Sequence, residues 1–182
     1  MSRIGKMPIV VPAGVEVELS NGCVSVVGRL GTMRLALHSC VAVLSSGDVL
    51  NVTVNGVGKV ERSLHGLYRS LVNNAVIGVH SGFEKRLELN GVGYQVQIKG
   101  GQLELSVGYS KPVVFQVPKG INVAVLDSTH MVISGVDKHC VGQFAAQVRS
   151  ARVPDPYKAK GVKYVGEFIR RKAGKAFGAG AK

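Results

Sequence analysis

"VEVELSNGCVSV" at residues 15–26 and "YQVQIKGGQLEL" at residues 94–105 carry one pattern twice, offset by 79 residues (94 − 15). In the first, Val15, Val17 and Leu19 alternate before "SNG", and Val24 and Val26 alternate after it. In the second, Tyr94, Val96 and Ile98 precede Gly100-Gly101, and Leu103, Leu105 and Val107 follow. A period of two lays one face of a strand on a core, and an Asn-Gly or Gly-Gly pair supplies the backbone freedom a tight hairpin needs. Each stretch therefore reads as two antiparallel strands joined by a short turn.

The duplication continues downstream. "VNGVGKVERSLHGLYRS" at 54–70 matches "ISGVDKHCVGQFAAQVRS" at 133–150, again offset by 79 (133 − 54), with one inserted residue. The β-branched stretches "MRLALH", "VLNVTV", "VVFQV" and "MVISG" supply further strands. Val60, Leu64, Leu67, Tyr68, Leu71, Val72 and Ala75 recur at helical spacing in the first copy, as do Val141, Phe144, Ala145 and Val148 in the second. Such stripes pack on a sheet. The predicted fold is α+β: two similar tandem domains, each an antiparallel-rich sheet on one main helix, with a basic C-terminal tail. The expected boundaries are an N-terminal extension at 1–7, repeats at 8–81 and 82–165, and the tail at 166–182.

A chain of 182 residues with 46% hydrophobic side chains has the material for such cores. Its apolar runs stop well short of the roughly 20 residues that span a bilayer. "MSRIGKMPIV" has no continuous apolar segment followed by a cleavage site, so the expected compartment is the cytosol. Cys23, Cys40 and Cys140 are odd in number and far apart, which reads as small core thiols rather than a disulfide framework. No paired Cys or His spacing suits a metal ion.

Enzyme chemistry finds no purchase in the motifs. "NGVGKV" at 55–60 falls between a strand and a helix, but Thr53 stands where a phosphate-binding loop has its first glycine and Val60 where it needs a hydroxyl. "NGVGYQV" at 90–96 has Val96 in place of the third glycine of a dinucleotide fingerprint, followed by strand-like alternation. Acidic residues are scattered, and the histidines share no motif with a nucleophile.

Charge is more informative. The formal net charge is +12, and residues 151–182 hold nine Lys and Arg against two acids, +7 of that total. A concentrated basic segment marks attraction to a polyanion. Within "RSARVPDPYKAKGVKY", Pro154 and Pro156 stop a helix and pre-shape a short turn. Arg149, Arg152, Lys158, Lys160 and Lys163 surround that turn, and Tyr157 and Tyr164 add rings that stack on a base or hydrogen-bond a phosphate or ribose. Beyond it, Arg170, Arg171, Lys172 and Lys175 offer further phosphate contacts. Under the repeat, "VIGVHSG" at 76–82 falls opposite "DPYKAKG" at 155–161, and reads as a neutral loop facing a basic one. That contrast assigns nucleic-acid binding to the second copy and leaves the first as a spacer or protein-facing domain. The rival readings are a solvated loop, a DNA-compacting protein and a protein–protein adaptor.

The run "PDPYKAKGV" resembles the signature of the family of large-subunit ribosomal protein six. "MSRIGKMPI", "NGVGYQV", "VGYSKPV" and "VDKHCVGQFAAQVRS" are similar to other segments of that family, in the same order and along the whole chain. The resemblance implies two similar α/β domains and binding of 23S-type ribosomal RNA, mainly by the C-terminal domain and tail. It places the protein near the translation-factor-binding region and stalk base, beside other large-subunit proteins. It implies no catalysis, no cofactor, no small-molecule substrate and no membrane. The ribosome would be that of a bacterial cytoplasm or of an organelle of bacterial descent. By position, the RNA-facing residues it implies are Tyr157, Lys158, Lys160 and Gly161, with Arg3 and Lys6 as further contacts. Ala159 stands where many members have glycine, and Lys111 where bacterial members often have histidine.

Overall fold

The structure is a computed structural model that describes residues 2–20, 22–56, 58–172 and 174. It divides into two compact units, one of residues 1–83 with 135–138, the other of residues 84–134 with 139–182.

The first unit is built from β1 (Ile9–Val10), β2 (Glu16–Ser20), β3 (Cys23–Gly28), β4 (Gly31–Ala36), β5 (Val41–Ser46), β6 (Val49–Val54) and α1 (Lys59–His80). They form sheets in the order β2-β3-β4 and β1-β6-β5. The first hairpin sets Val17 opposite Val26 and Leu19 opposite Val24, and Gly22 takes the positive φ of its turn. Val24, Val26, Ile9, Leu50 and Val52 pack with Val72, Val76 and Val79 of α1 in one core.

The helix corrects two expectations. Part of the predicted stripe holds: Val72 and Ala75 are buried, and Leu64 and Tyr68 pack against the core. Part does not: Val60 and Leu67 are 64% and 51% exposed, and the buried face adds His65, Val76, Gly78 and Val79. The helix comes close to β3 at Val79, whose carbonyl oxygen would lie 2.7 Å from a Cβ added at Gly28. The helix also continues to His80, so "VIGVHSG" is not a loop. Gly82, at φ +74, closes the end by donating its N–H to the Ile77 and Gly78 carbonyls.

The cysteines are a further correction, because Cys23 and Cys140 are exposed and Cys40 is only half-buried. On β3 the inward positions belong to Val24 and Val26, and the period of two turns Cys23 outward. On the second helix Val141, Phe144, Ala145 and Val148 take the buried row, which leaves Cys140 off it.

Of the expected N-terminal extension, residues 2–7 form a hook on α1. Lys6 N–H donates to the Ser2 carbonyl at 3.2 Å. Ser2 N–H donates to His65 Nδ1 at 3.4 Å, which leaves Nε2–H to donate to the Val52 carbonyl at 2.9 Å. Arg69 donates through Nε to the Met7 carbonyl and through Nη2 to that of Pro8. Gly5 lies against the buried imidazole, where a Cβ would sit 2.4 Å from the ring.

The second unit repeats the plan with β7 (Phe83–Asn90), β8 (Gln95–Lys99), β9 (Gln102–Ser106), β10 (Val113–Gln116), β11 (Ile121–Asp127), β12 (His130–Gly135) and α2 (Lys138–Ser150), and adds β13 (Gly161–Tyr164). Its sheets run β10-β9-β8 and β11-β12-β7-β13. Val96 faces Leu105 and Ile98 faces Leu103 across the hairpin. Leu87, Leu103, Leu105, Met131, Ile133, Phe144 and Val162 lie in its core, where Phe115 meets Phe144 edge to face at 6.5 Å.

The two copies diverge after the helix. α1 has 22 residues and α2 has 13. Where the first copy continues as helix, the second turns away ahead of Pro154 and Pro156 and returns as β13, antiparallel to β7. The contrast between copies is thus helix against proline-stopped loop, rather than neutral loop against basic loop.

Candidate nucleic-acid interface

The loop between α2 and β13 is held by its own backbone. Asp155 N–H donates to the Lys160 carbonyl at 2.9 Å, and Ala159 N–H donates to the Asp155 carbonyl at 2.8 Å. The Asp155 carboxylate accepts from Lys158 N–H at 3.1 Å. Val162 N–H donates to the Arg152 carbonyl at 2.8 Å and ties the loop's exit to its entry. Pro154 and Ala159 are buried, so Tyr157, Lys158 and Lys160 are turned to solvent.

Two residues take left-handed backbone to make this closure. Gly161 sits at φ +150, and a Cβ there would lie 2.7 Å from both the Arg152 carbonyl oxygen and the Pro154 Cα. Ala159 sits at φ +56, the one such non-glycine among the described residues. Ala159→Gly would relieve about 1–2 kcal/mol of left-handed strain. It would also lose roughly 0.8 kcal/mol of methyl burial and add about 0.4–1 kcal/mol of unfolded-chain entropy. The expected net change is within about 0.5 kcal/mol of zero. Ala159→Val, β-branched at a buried left-handed position, is expected to destabilise by about 2 kcal/mol or more. Urea denaturation of both variants checks the pair.

A clasp holds the start of the tail. Arg149 donates through Nε to Glu167 Oε2 at 3.0 Å and through Nη2 to Oε1, and both side chains are half-buried. Glu167 Oε2 also accepts from Tyr164 N–H at 3.0 Å. The hydrogen bonds from Arg149 hold the Glu167 carboxyl below its usual range, against the opposing effect of burial. The same pair raises the Arg149 pKa. Further along, Lys172 N–H donates to the Pro156 carbonyl at 3.0 Å, which brings the tail beside the loop.

The expected site residues therefore separate into groups. Tyr157, Lys158, Lys160, Arg170, Arg171 and Lys172 are exposed around the loop and folded-back tail. Among the described residues, these five cations have no ion-pair partner. Arg149 is engaged with Glu167, and Lys163 pairs with Glu88 at 2.6 Å. Tyr164 is half-buried against the core, Gly161 is buried, and Arg152 lies 5.0 Å over the ring of Tyr109, whose hydroxyl donates to the Ala151 carbonyl. Arg3 and Lys6 are exposed on the hook of the first unit. Lys175 lies outside the described residues.

Sequence reasoning missed the acids. Asp155 and Glu167 are the two in residues 151–182, and both are spent on the scaffold. Their rarity in a basic segment was the available signal. Glu88 and Tyr109 come from distant parts of the second copy and gave none.

Two copies of one α+β plan, the second ending in a hydrogen-bonded loop and tail start with five exposed cations that have no ion-pair partner among the described residues, define a scaffold protein that presents a basic surface. The model of the family described as Ribosomal protein L6 matches residues 11–82 and 90–165, one match per copy. The chain belongs to the ribosomal protein L6 family, whose members are structural constituents of the large ribosomal subunit and not enzymes. It is 50% identical over 176 residues to large ribosomal subunit protein uL6 of Microcystis aeruginosa, covering 97% of this chain and 93% of that one. The uL6 of Geotalea daltonii is 50% identical over 175 residues, 96% of this chain and 98% of that one. For Magnetococcus marinus uL6 the identity is 46% over 175 residues, 96% and 99% of the two chains.

Proposed function

We propose that the protein binds 23S-type ribosomal RNA mainly through the second unit and the tail, near the translation-factor-binding region and stalk base of the large subunit. The observation that carries this reading is the set of five exposed cations, Lys158, Lys160, Arg170, Arg171 and Lys172, displayed on hydrogen-bonded backbone with the segment's two acids already engaged. Cations fixed before binding lose less freedom on meeting phosphates than a loose tail does. Tyr157 adds an exposed ring beside them. Arg149, Lys163, Tyr164 and Gly161 serve by shaping this surface, and Arg152 lies at its edge. Arg3 and Lys6 are further RNA contacts offered by the first unit, and neighbouring large-subunit proteins complete the setting.

Salt-dependent binding to large-subunit ribosomal RNA tests the proposal, comparing the natural chain with Lys158→Ala/Lys160→Ala. Each lost phosphate contact lowers the slope of log K against log salt by about 0.7–0.9. The double variant is expected to be shallower by about 1.4–1.8, with an unchanged circular-dichroism spectrum because both side chains are exposed. An unchanged slope would move the RNA contact off the loop. Equal affinity for duplex DNA would mean a general polyanion binder.

A further inference from the structure

The start of the tail borders an open hollow of about 490 Å³, lined by Ala159, Lys163, Glu167, Phe168, Ile169, Arg170 and Arg171. That volume lies within the roughly 300–1,000 Å³ typical of small-ligand sites. Phe168 is 90% exposed, the most exposed aromatic residue among those described. Its backbone is not loose: the preceding residue is clasped by Arg149 and by Tyr164 N–H, and Lys172 N–H is bonded to the Pro156 carbonyl. A large apolar ring held open to water on a pinned segment calls for an occupant.

The lining says what kind. Glu167 and Lys163 are engaged with Arg149 and Glu88, so they are not the hollow's recognition charges. What remains available is a flat aromatic face with Ile169 and the Ala159 methyl, flanked by two guanidinium groups without ion-pair partners among the described residues. An unpaired nucleotide has the matching parts: a base with a π-face, and a phosphate that binds Arg in bidentate fashion. An apolar peptide would use the ring and leave both guanidinium groups unanswered.

We propose that this hollow seats one unpaired base of the bound RNA, stacked on Phe168, with the nucleotide's phosphate held by Arg170 and Arg171. The proposal rests on the RNA-binding reading above and adds to it a contact with a base.

The test uses the full chain and large-subunit ribosomal RNA, with Phe168→Ala and Phe168→Trp compared with the natural protein across a salt series. Phe168→Ala is expected to weaken binding about five- to a hundredfold with the salt slope unchanged, since stacking is lost and no phosphate contact is. Phe168→Trp is expected to restore affinity. Chemical footprinting should show one unpaired base protected by the natural protein and by Phe168→Trp, and reactive with Phe168→Ala. Both variants should melt like the natural chain, because the side chain is exposed. If the natural protein binds and Phe168→Ala binds equally well, the hollow takes no base and the ring belongs to a protein neighbour. A shallower slope in Phe168→Ala would likewise overturn stacking. If the natural protein itself fails to bind, the RNA-binding reading falls instead.

Discussion

Gly161→Ala is expected to destabilise the second unit by about 3 kcal/mol and to remove its RNA affinity along with the loop geometry. Backbone strain contributes first, because φ +150 is a region that L side chains rarely adopt. The larger part is steric. The new methyl would lie 2.7 Å from the Arg152 oxygen and Pro154 Cα and 2.8 Å from the Pro154 nitrogen, all of them backbone atoms. A flexible side chain could swing aside, but these atoms are held by two proline rings and by the bond from Val162 N–H to the Arg152 carbonyl. Relief must come from breaking that bond and detaching β13 from β7. Gly166→Ala makes a sharp control, since Gly166 is also left-handed, at φ +81, but has no atom within 4 Å of an added Cβ. It is expected to cost only about 1 kcal/mol. Chemical denaturation of both variants gives the comparison. Thermally, the Gly161 change corresponds to a fall of roughly 12 °C or more, at about 4–8 °C per kcal/mol for a unit of this size. Costs within about 1 kcal/mol of each other would mean that the loop has slack and that Gly161 is not its keystone.

The fold was legible where one residue's position fixes its neighbours. Alternation on each side of Gly22 and of Gly100-Gly101 determined both hairpins and their registers, and the offset of 79 residues placed the second helix from the first. Where two solutions have nearly equal patterns, the sequence was ambiguous. Val60 and Leu67 share the helical spacing of Leu64, Tyr68, Val72 and Ala75, yet only the latter four pack on the core, and spacing alone does not tell them apart. The run 76–80 has a glycine and β-branched residues that weaken helix propensity, yet it stays helical because Val76 and Val79 are buried. β1, β5, β7, β11 and β13 have no counterpart among the strands the pattern predicts, and β7 carries charged residues on its exposed stretch that mask its alternation.

For the site, composition located the segment and proline located the loop, but charge alone did not say which cations are available. Arg149 and Lys163 look like Lys158 and Lys160 in the sequence. They differ in three dimensions because Glu167 lies 18 residues from Arg149, and Glu88 sits on β7, opposite Lys163 in the ladder with β13. Strand pairing across that distance has no local signature. Phe168 likewise falls in the segment read only as part of the basic tail, and nothing local announces that its ring is 90% exposed.

Glu167→Ala is expected to cost the second unit about 2 kcal/mol near neutral pH and to release the tail from the loop. The change removes both hydrogen bonds to Arg149, leaves its guanidinium without a counter-charge, and orphans Tyr164 N–H. Fully buried ion pairs lose about 3–5 kcal/mol when one partner is removed. Here the side chains are 29% and 22% exposed, so water takes up part of the deficit. The pH dependence separates this clasp from simple packing. The folded Glu167 carboxyl titrates below the ordinary glutamate value of about 4.3, so as pH falls the unfolded chain takes up its proton first. The stabilisation is therefore complete above that ordinary value and disappears as pH drops through the lower, folded one. The gap in denaturation free energy between the natural chain and Glu167→Ala should be constant from about pH 7 down to about pH 5, and should narrow by about pH 3. Glu167→Gln, which keeps an acceptor but no charge, should fall between them at neutral pH. With the clasp open, trypsin should cut faster after Arg170, Arg171 and Lys172, and RNA affinity should drop although no exposed cation has been removed. A gap as wide at pH 3 as at pH 7 would show that the glutamate acts through its bulk, and the tail would then owe its position to backbone bonds, those from Val165, Glu167 and Lys172 N–H among them.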